Sequence, residues 1–175
     1  MRPQDVAILL KIIALRDREW NLSTLAGSLH ISLSEVSESL NRSWFARLID
    51  FTKKRVNRQN FMEFLEFGVR YVFPAEPGAM TIGLPTSHAH PFIKAHIVSS
   101  INYVWPCNKG DDQGLSVEPF YPRQAEAAKD DPEFYKLLAL TDAIRVGRVR
   151  ERELAISELK GMILYEQPLH EFSAH

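Results

Sequence analysis

The chain has 175 residues, 45% of them hydrophobic and 25% charged, with a net charge of −1 and one cysteine. Such a composition is ordinary for a globular protein, and the single Cys107 excludes an intrachain disulfide and fits a reducing compartment. No apolar run approaches the roughly 20 residues of a membrane span, and the apolar stretch in MRPQDVAILLKII is too short for a secretory signal, so a cytoplasmic protein with no membrane partner is expected.

Pro3 and Asp5 suit the first turn of a helix running to about Leu15, where a fixed φ and a negative charge are both favourable. Val6, Leu9, Leu10 and Ile13 form its buried stripe, widened by Ile8 and Ile12. So broad a stripe predicts contact on two sides, with the following helices or with a second copy of the chain. Trp20 is expected at the entrance to the next helix.

From Asn21 to Leu40 the pattern is two short helices joined by a tight turn. Asn21 can cap the first, whose Leu22, Leu25, Ala26 and Leu29 share one face. Ile31 plugs the turn, Ser32 or Ser34 caps the second helix, and Leu33, Val36 and Leu40 are its buried residues. That leaves Ser34, Glu35, Ser37, Glu38, Asn41 and Arg42 pointing outward. The run LAGSLHISLSEVSESL resembles the helix-turn-helix of winged-helix transcriptional regulators, the broad MarR-like group. His30 stands where that group has Gly in the turn, which predicts a left-handed backbone there. The resemblance implies a second helix that reads a major groove and a cationic wing that holds phosphates.

Trp44, Phe45 and Leu48 are expected in the core. Leu48 to Phe51 reads as a strand leading to Lys53-Lys54-Arg55, which stands where a wing belongs. Residues 1–75 hold 11 Lys+Arg against 8 Asp+Glu, a balance of +3, while the remaining residues balance to −4. The asymmetry has the sign expected of a DNA-binding N-terminal part. Asn57 is expected to cap a helix from Arg58 to about Tyr71, with Phe61, Phe64, Leu65, Phe67 and Tyr71 as an aromatic face for the core or a dimer seam.

Phe73 to Pro91, punctuated by four prolines and by Gly78 and Gly83, reads as extended coil. Val98–Trp105 and Leu115–Phe120 read as a small hairpin turned at residues 108–114. Asp131-Pro132 opens a helix that buries Phe134, Leu137, Leu138, Thr141 and Ile144. Gly147 is read as a bend, followed by helix from Arg148 to Met162, and the last dozen residues as frayed. FPAEPG, VWP and DAIRVGRVRERELA resemble the tails of bacterial helix-turn-helix proteins, which implies fold and no chemistry.

The strongest enzyme-like signal is His88-Ala89-His90 with His96, a set that can hold zinc only if all three converge. Ser87 beside His88 lacks an elbow motif, Cys107 has no evident activating neighbour, and no phosphate-cradling glycine motif occurs. Arg145, Arg148 and Arg152 share a face if one helix runs through them, either as a salt-bridged surface or as a second basic patch.

The expected fold is α+β and mainly helical: a winged helix-turn-helix over 1–73, then a small hairpin and C-terminal helices over 74–175. The expected function is a sequence-specific, dimeric, DNA-binding transcriptional regulator with no cofactor, no metal and no catalytic residue. Ser34, Ser37, Glu38, Asn41 and Arg42 would meet bases or nearby phosphates of double-stranded DNA, and Lys53, Lys54, Arg55 and Arg58 would hold its backbone. The rival is a protein-interaction module, such as the antitoxin-like partner of a toxin. A ligand pocket around Trp105, Phe120 and Tyr121 is compatible with the first reading.

Overall fold

The computed structural model describes residues 1–110 and 112–165, and its first element follows from Pro3 and Asp5. These begin α1 (Pro3–Leu15), in which every residue from Asp5 to Ala14 is buried. Two helices of the predicted hairpin follow, α2 (Leu22–Leu29) and α3 (Leu33–Phe45). The predicted aromatic helix is divided at Gly68 into α4 (Arg58–Phe67) and α5 (Val69–Val72). Phe61 and Leu65 enter the core, whereas Phe67 and Tyr71 are exposed.

Phe73 to Pro91 is not coil throughout. It contains β1 (Met80–Thr86), a 3-10 turn at Ser87–Ala89, and then the short α6 (Pro91–Lys94). The predicted hairpin is likewise replaced by another topology. β2 (Tyr103–Pro106) pairs antiparallel with the second half of β1, and β3 (Asp112–Ser116) with its first half. β2 and β3 run parallel, through Tyr103 opposite Leu115 and Val104 opposite Ser116, so the three strands close on themselves. Prolines hid β1 from a periodicity reading, yet Pro85 sits at a position where pairing leaves its missing N–H without consequence. Close approach explains two glycines: a Cβ at Gly83 would lie 2.0 Å from the Trp105 carbonyl oxygen, and one at Gly110 2.4 Å from the Gly83 Cα.

The described residues end in α7 (Gln124–Lys129), which periodicity did not reveal, α8 (Pro132–Val146) and α9 (Val149–Leu164). Asp131 caps α8 through the Phe134 amide at 3.1 Å, as expected. Gly147 separates two helices rather than bending one. Arg145 and Arg148 therefore do not share a helix face. Arg145 is buried, with Nη1 2.8 Å from Asp142, which also accepts from Trp105 Nε1 at 2.6 Å and Thr86 Oγ1 at 2.8 Å. This set ties α8 to β1 and β2, and Trp105 belongs to the core.

The breadth of the α1 stripe is satisfied within the chain, since α1 packs on α3 and on α8, while α4 packs on α9. The resulting buried cluster runs from Val6 to Ile163. Each fully buried Leu or Ile in it contributes about 1.5–3 kcal/mol. Among the described residues no helix is long and apolar enough to cross a membrane. The expected fraying of the last dozen residues lies, beyond Tyr165, outside the described residues.

Candidate nucleic-acid interface

Local chemistry builds the α2–turn–α3 unit. Asn21 Oδ1 accepts from the Thr24 amide at 2.9 Å, and Thr24 Oγ1 accepts in return from the Asn21 amide at 3.0 Å. His30 closes α2 in the left-handed region, with φ 56° and ψ 39°. The Ile31 amide then reaches back to the Ala26 carbonyl at 3.1 Å, which sets the angle between the helices. Ser32 caps α3 through the Glu35 amide at 3.3 Å. Val36, Ser39, Leu40 and Ser43 are buried, while Ser34, Glu35, Glu38 and Asn41 face solvent and Ser37 is half-buried.

Arg42 departs from its predicted place at the base edges. Its guanidinium forks onto Asp5 of α1, Nε to Oδ2 at 2.9 Å and Nη2 to Oδ1 at 2.7 Å. Asp5 is fully buried and also accepts from Ser39 Oγ at 2.6 Å and the Arg2 amide at 2.7 Å. The Asp5 hydrogen bond raises the Arg42 pKa above its ordinary value, against the opposing effect of burial. A bidentate charged pair of this kind fixes the tilt of α3 against α1. Asp5 was legible only as a favourable first-turn acid, because nothing in the spacing of residues 5, 39 and 42 announces that they meet.

The segment after α3 is a tight antiparallel turn held by one bridge between Ile49 and Val56. Asp50 organises it, accepting from Thr52 Oγ1 at 2.7 Å and from the Lys54 and Arg55 amides at 3.1 and 3.2 Å. Burial opposes the Asp50 charge, but the bonds from Thr52 and these amides outweigh it and hold the pKa below the ordinary value. Lys53 donates to Asn41 Oδ1 on α3 and lies 5.8 Å from the Trp44 ring. Lys54 turns the other way, to the Trp20 carbonyl at 2.8 Å, with its ammonium 4.0 Å from the Trp20 ring centroid. Arg55 is exposed. Arg58 is half-buried, and its Nη1 donates to the Ile163 carbonyl at 2.8 Å. Asn57 precedes α4 without capping it; its side chain donates to the Arg47 carbonyl instead.

The expected core positions of two aromatics are overturned. Trp44 is 49% and Phe45 86% exposed, and Phe51, at the tip of the turn, is 83% exposed. Only Leu48 of that group is buried. The α3 register that buries Leu40 and Ser43 necessarily carries residues 44 and 45 past the core edge.

The histidines do not converge. His88 Nε2 donates to the Ile101 carbonyl, His90 Nδ1 accepts from the Phe92 amide at 3.2 Å, and His96 Nδ1 donates to the Phe92 carbonyl at 2.8 Å. Burial lowers the His90 pKa to about 4, assisted by the nearby Lys136 charge. Ser87 is fully buried. Among the described residues no group of three His, Cys, Asp or Glu is placed to hold a metal ion. Comparisons with protein-family models, with curated proteins and with solved structures found no match to this chain.

Proposed function

We propose that the protein is a sequence-specific, duplex-DNA-binding transcriptional regulator of the winged-helix type. The observation that supports this most is the side-by-side placement of a solvent-facing polar helix surface, Ser34, Glu38 and Asn41, and a cationic turn, Lys53 to Arg55, coupled by the Lys53–Asn41 hydrogen bond. Asn41 and Ser34 would meet base edges, and Glu38 can accept from a cytosine amino group. Lys53, Lys54 and Arg55 would hold phosphates, which position a protein without reading sequence. Thirteen residues of α3 span about 20 Å, so one copy reads few base pairs and two-fold pairing would double the site. The exposed Phe67 and Tyr71 offer apolar area for such a homodimer. No catalytic step is part of this reading.

Selection of bound fragments from random duplexes, followed by gel shift, tests it. Asn41→Ala should flatten the preference for the selected site over a scrambled one by about tenfold, since one good base contact is worth about 1–3 kcal/mol. Arg55→Ala should weaken both equally. Equal affinity of the unaltered protein for selected and scrambled duplexes would remove the proposal.

A second reading draws on a different observation. Trp44, Phe45 and Phe51 expose apolar rings at the end of α3 and in the turn that follows, and α3 also carries the exposed acids Glu35 and Glu38. Aromatic residues of this kind are enriched at protein interfaces. An antitoxin-like module that binds a protein partner there would fail to enrich any DNA sequence and would lose its partner on Phe45→Ser.

A further inference from the structure

In the 3-10 turn that follows β1, His88 is buried and both of its ring nitrogens face oxygen atoms. Nε2 meets the Ile101 carbonyl, which has no proton to give, so Nε2 carries one itself. Nδ1 lies 4.0 Å from Oε1 of the buried Glu151, in the first turn of α9, and has no hydrogen-bond partner among the described residues. With the Nε2 proton alone, a bare ring nitrogen and a carboxylate oxygen would oppose each other away from water, which is costly. We propose that His88 holds both ring protons and closes a charge-assisted bond to Glu151, a proton-dependent latch between the end of β1 and the start of α9.

The proton belongs on the ring rather than on Glu151. Glu151 Oε2 accepts from the Arg148 amide at 2.6 Å, and a negative charge in the first turn of a helix is favoured by the free amides there. Both effects keep the carboxylate ionised, and a buried carboxylate is stabilised by a cation at hand. The charged groups on the elements packed around the turn are engaged elsewhere or face solvent. On α8, Asp142 pairs with Arg145 at 2.8 Å and Lys136 with Glu158 at 2.7 Å. Lys94 of α6 is exposed, and His90 and His96 bond to the Phe92 backbone. On α9, Arg148 and Arg150 are exposed, while Arg152 lines a hollow against α5. β2 contributes the Tyr103 ring, edge-on to His88 at 4.4 Å.

Ser87 gives a second sign that this turn is held from outside. Its φ of 53° lies in the left-handed region, and its hydroxyl is buried with no partner among the described residues. Backbone strain of this kind persists only where the surroundings over-determine it, and a bond from the next residue to α9 does so. When the ring gives up its second proton, two acceptors face each other and the latch opens. Alkaline conditions therefore loosen the end of β1 from α9. The inference does not draw on the duplex-binding reading.

NMR of the full chain with isotope-labelled histidine rings reads each ring nitrogen directly. At pH 7 both His88 nitrogens should carry protons, where an ordinary histidine ring carries mostly one. Glu151→Gln should convert His88 to the one-proton form, since the new amide can donate to a bare Nδ1 while its oxygen keeps the Arg148 bond. Unchanged signals from the other histidines show that this variant keeps the fold. A bare Nδ1 in the unaltered chain at pH 7, or a doubly protonated ring in Glu151→Gln, would overturn the proposal. Hydrogen exchange then reads the latch itself. The Arg152 amide, which bonds to the Arg148 carbonyl at 2.9 Å, should lose protection by about tenfold relative to Glu151→Gln as rising pH strips the second proton. Equal protection in the two proteins at every pH would show that the bond does not hold α9.

Discussion

Arg42 shows how the same residue type, on the same helix, can be a reader or a strut. Its neighbour Asn41 faces solvent, and a change there should alter stability by less than about 0.5 kcal/mol. Arg42→Ala, by contrast, leaves the fully buried Asp5 carboxylate without its cation and should cost about 3 kcal/mol. Urea unfolding of both variants checks the contrast, and a midpoint for Arg42→Ala equal to that of the unaltered chain would contradict the strut role. Arg145 follows the same logic. An arginine beside a buried aspartate at a spacing of three, as in Asp142 and Arg145, is a core fastener when the helix that bears it is buried.

At the scale of elements, the α2–α3 unit depends on a left-handed residue that is not glycine. A side chain at φ 56° costs about 1 kcal/mol, because its Cβ crowds the backbone. His30→Gly should therefore stabilise the protein by roughly 0.5–1 kcal/mol. Thermal unfolding reads this directly, and a lower melting temperature would mean that His30 does more than close the turn. The cationic turn is held differently. Its geometry depends on Asp50, whose carboxylate replaces the ladder bonds that a longer ribbon would supply.

For the molecule as a whole, helices from both ends of the chain share the buried cluster, so local titrations become global stability terms. His90 is buried, with its pKa lowered to about 4 from the ordinary 6.5. A histidine depressed in the folded state binds its proton more readily when unfolded. Its contribution is therefore intact above pH 6.5 and is lost as pH falls from there towards 4, by about 3 kcal/mol in all. His90→Asn keeps an acceptor for the Phe92 amide at the start of α6 and removes the titration. The difference in unfolding free energy between the two proteins should shrink by about that amount between pH 7 and pH 4. A difference independent of pH would show that His90 is not held neutral.

What the amino-acid sequence determined by itself was local. Asn21, the Ser32/Ser34 pair and Asp131 announced three helix starts, His30 a left-handed turn, and the spacing of apolar residues the faces of α1 and α2 and the Val36–Leu40 part of α3, because caps and 3.6-residue periodicity act within one or two turns. The outward placement of Ser34, Glu38 and Asn41 was legible for the same reason. Leu33, expected to be buried, is 50% exposed in the first turn of α3. Only the tertiary structure decided that Arg42 turns to Asp5, that β1 binds both β2 and β3, and that Trp44 and Phe45 fall outside the core. Each of these depends on partners tens of residues away, such as residues 5 and 42 or 80 and 115. Pairing at that distance is chosen by the packing of the whole chain, which no short window of sequence contains.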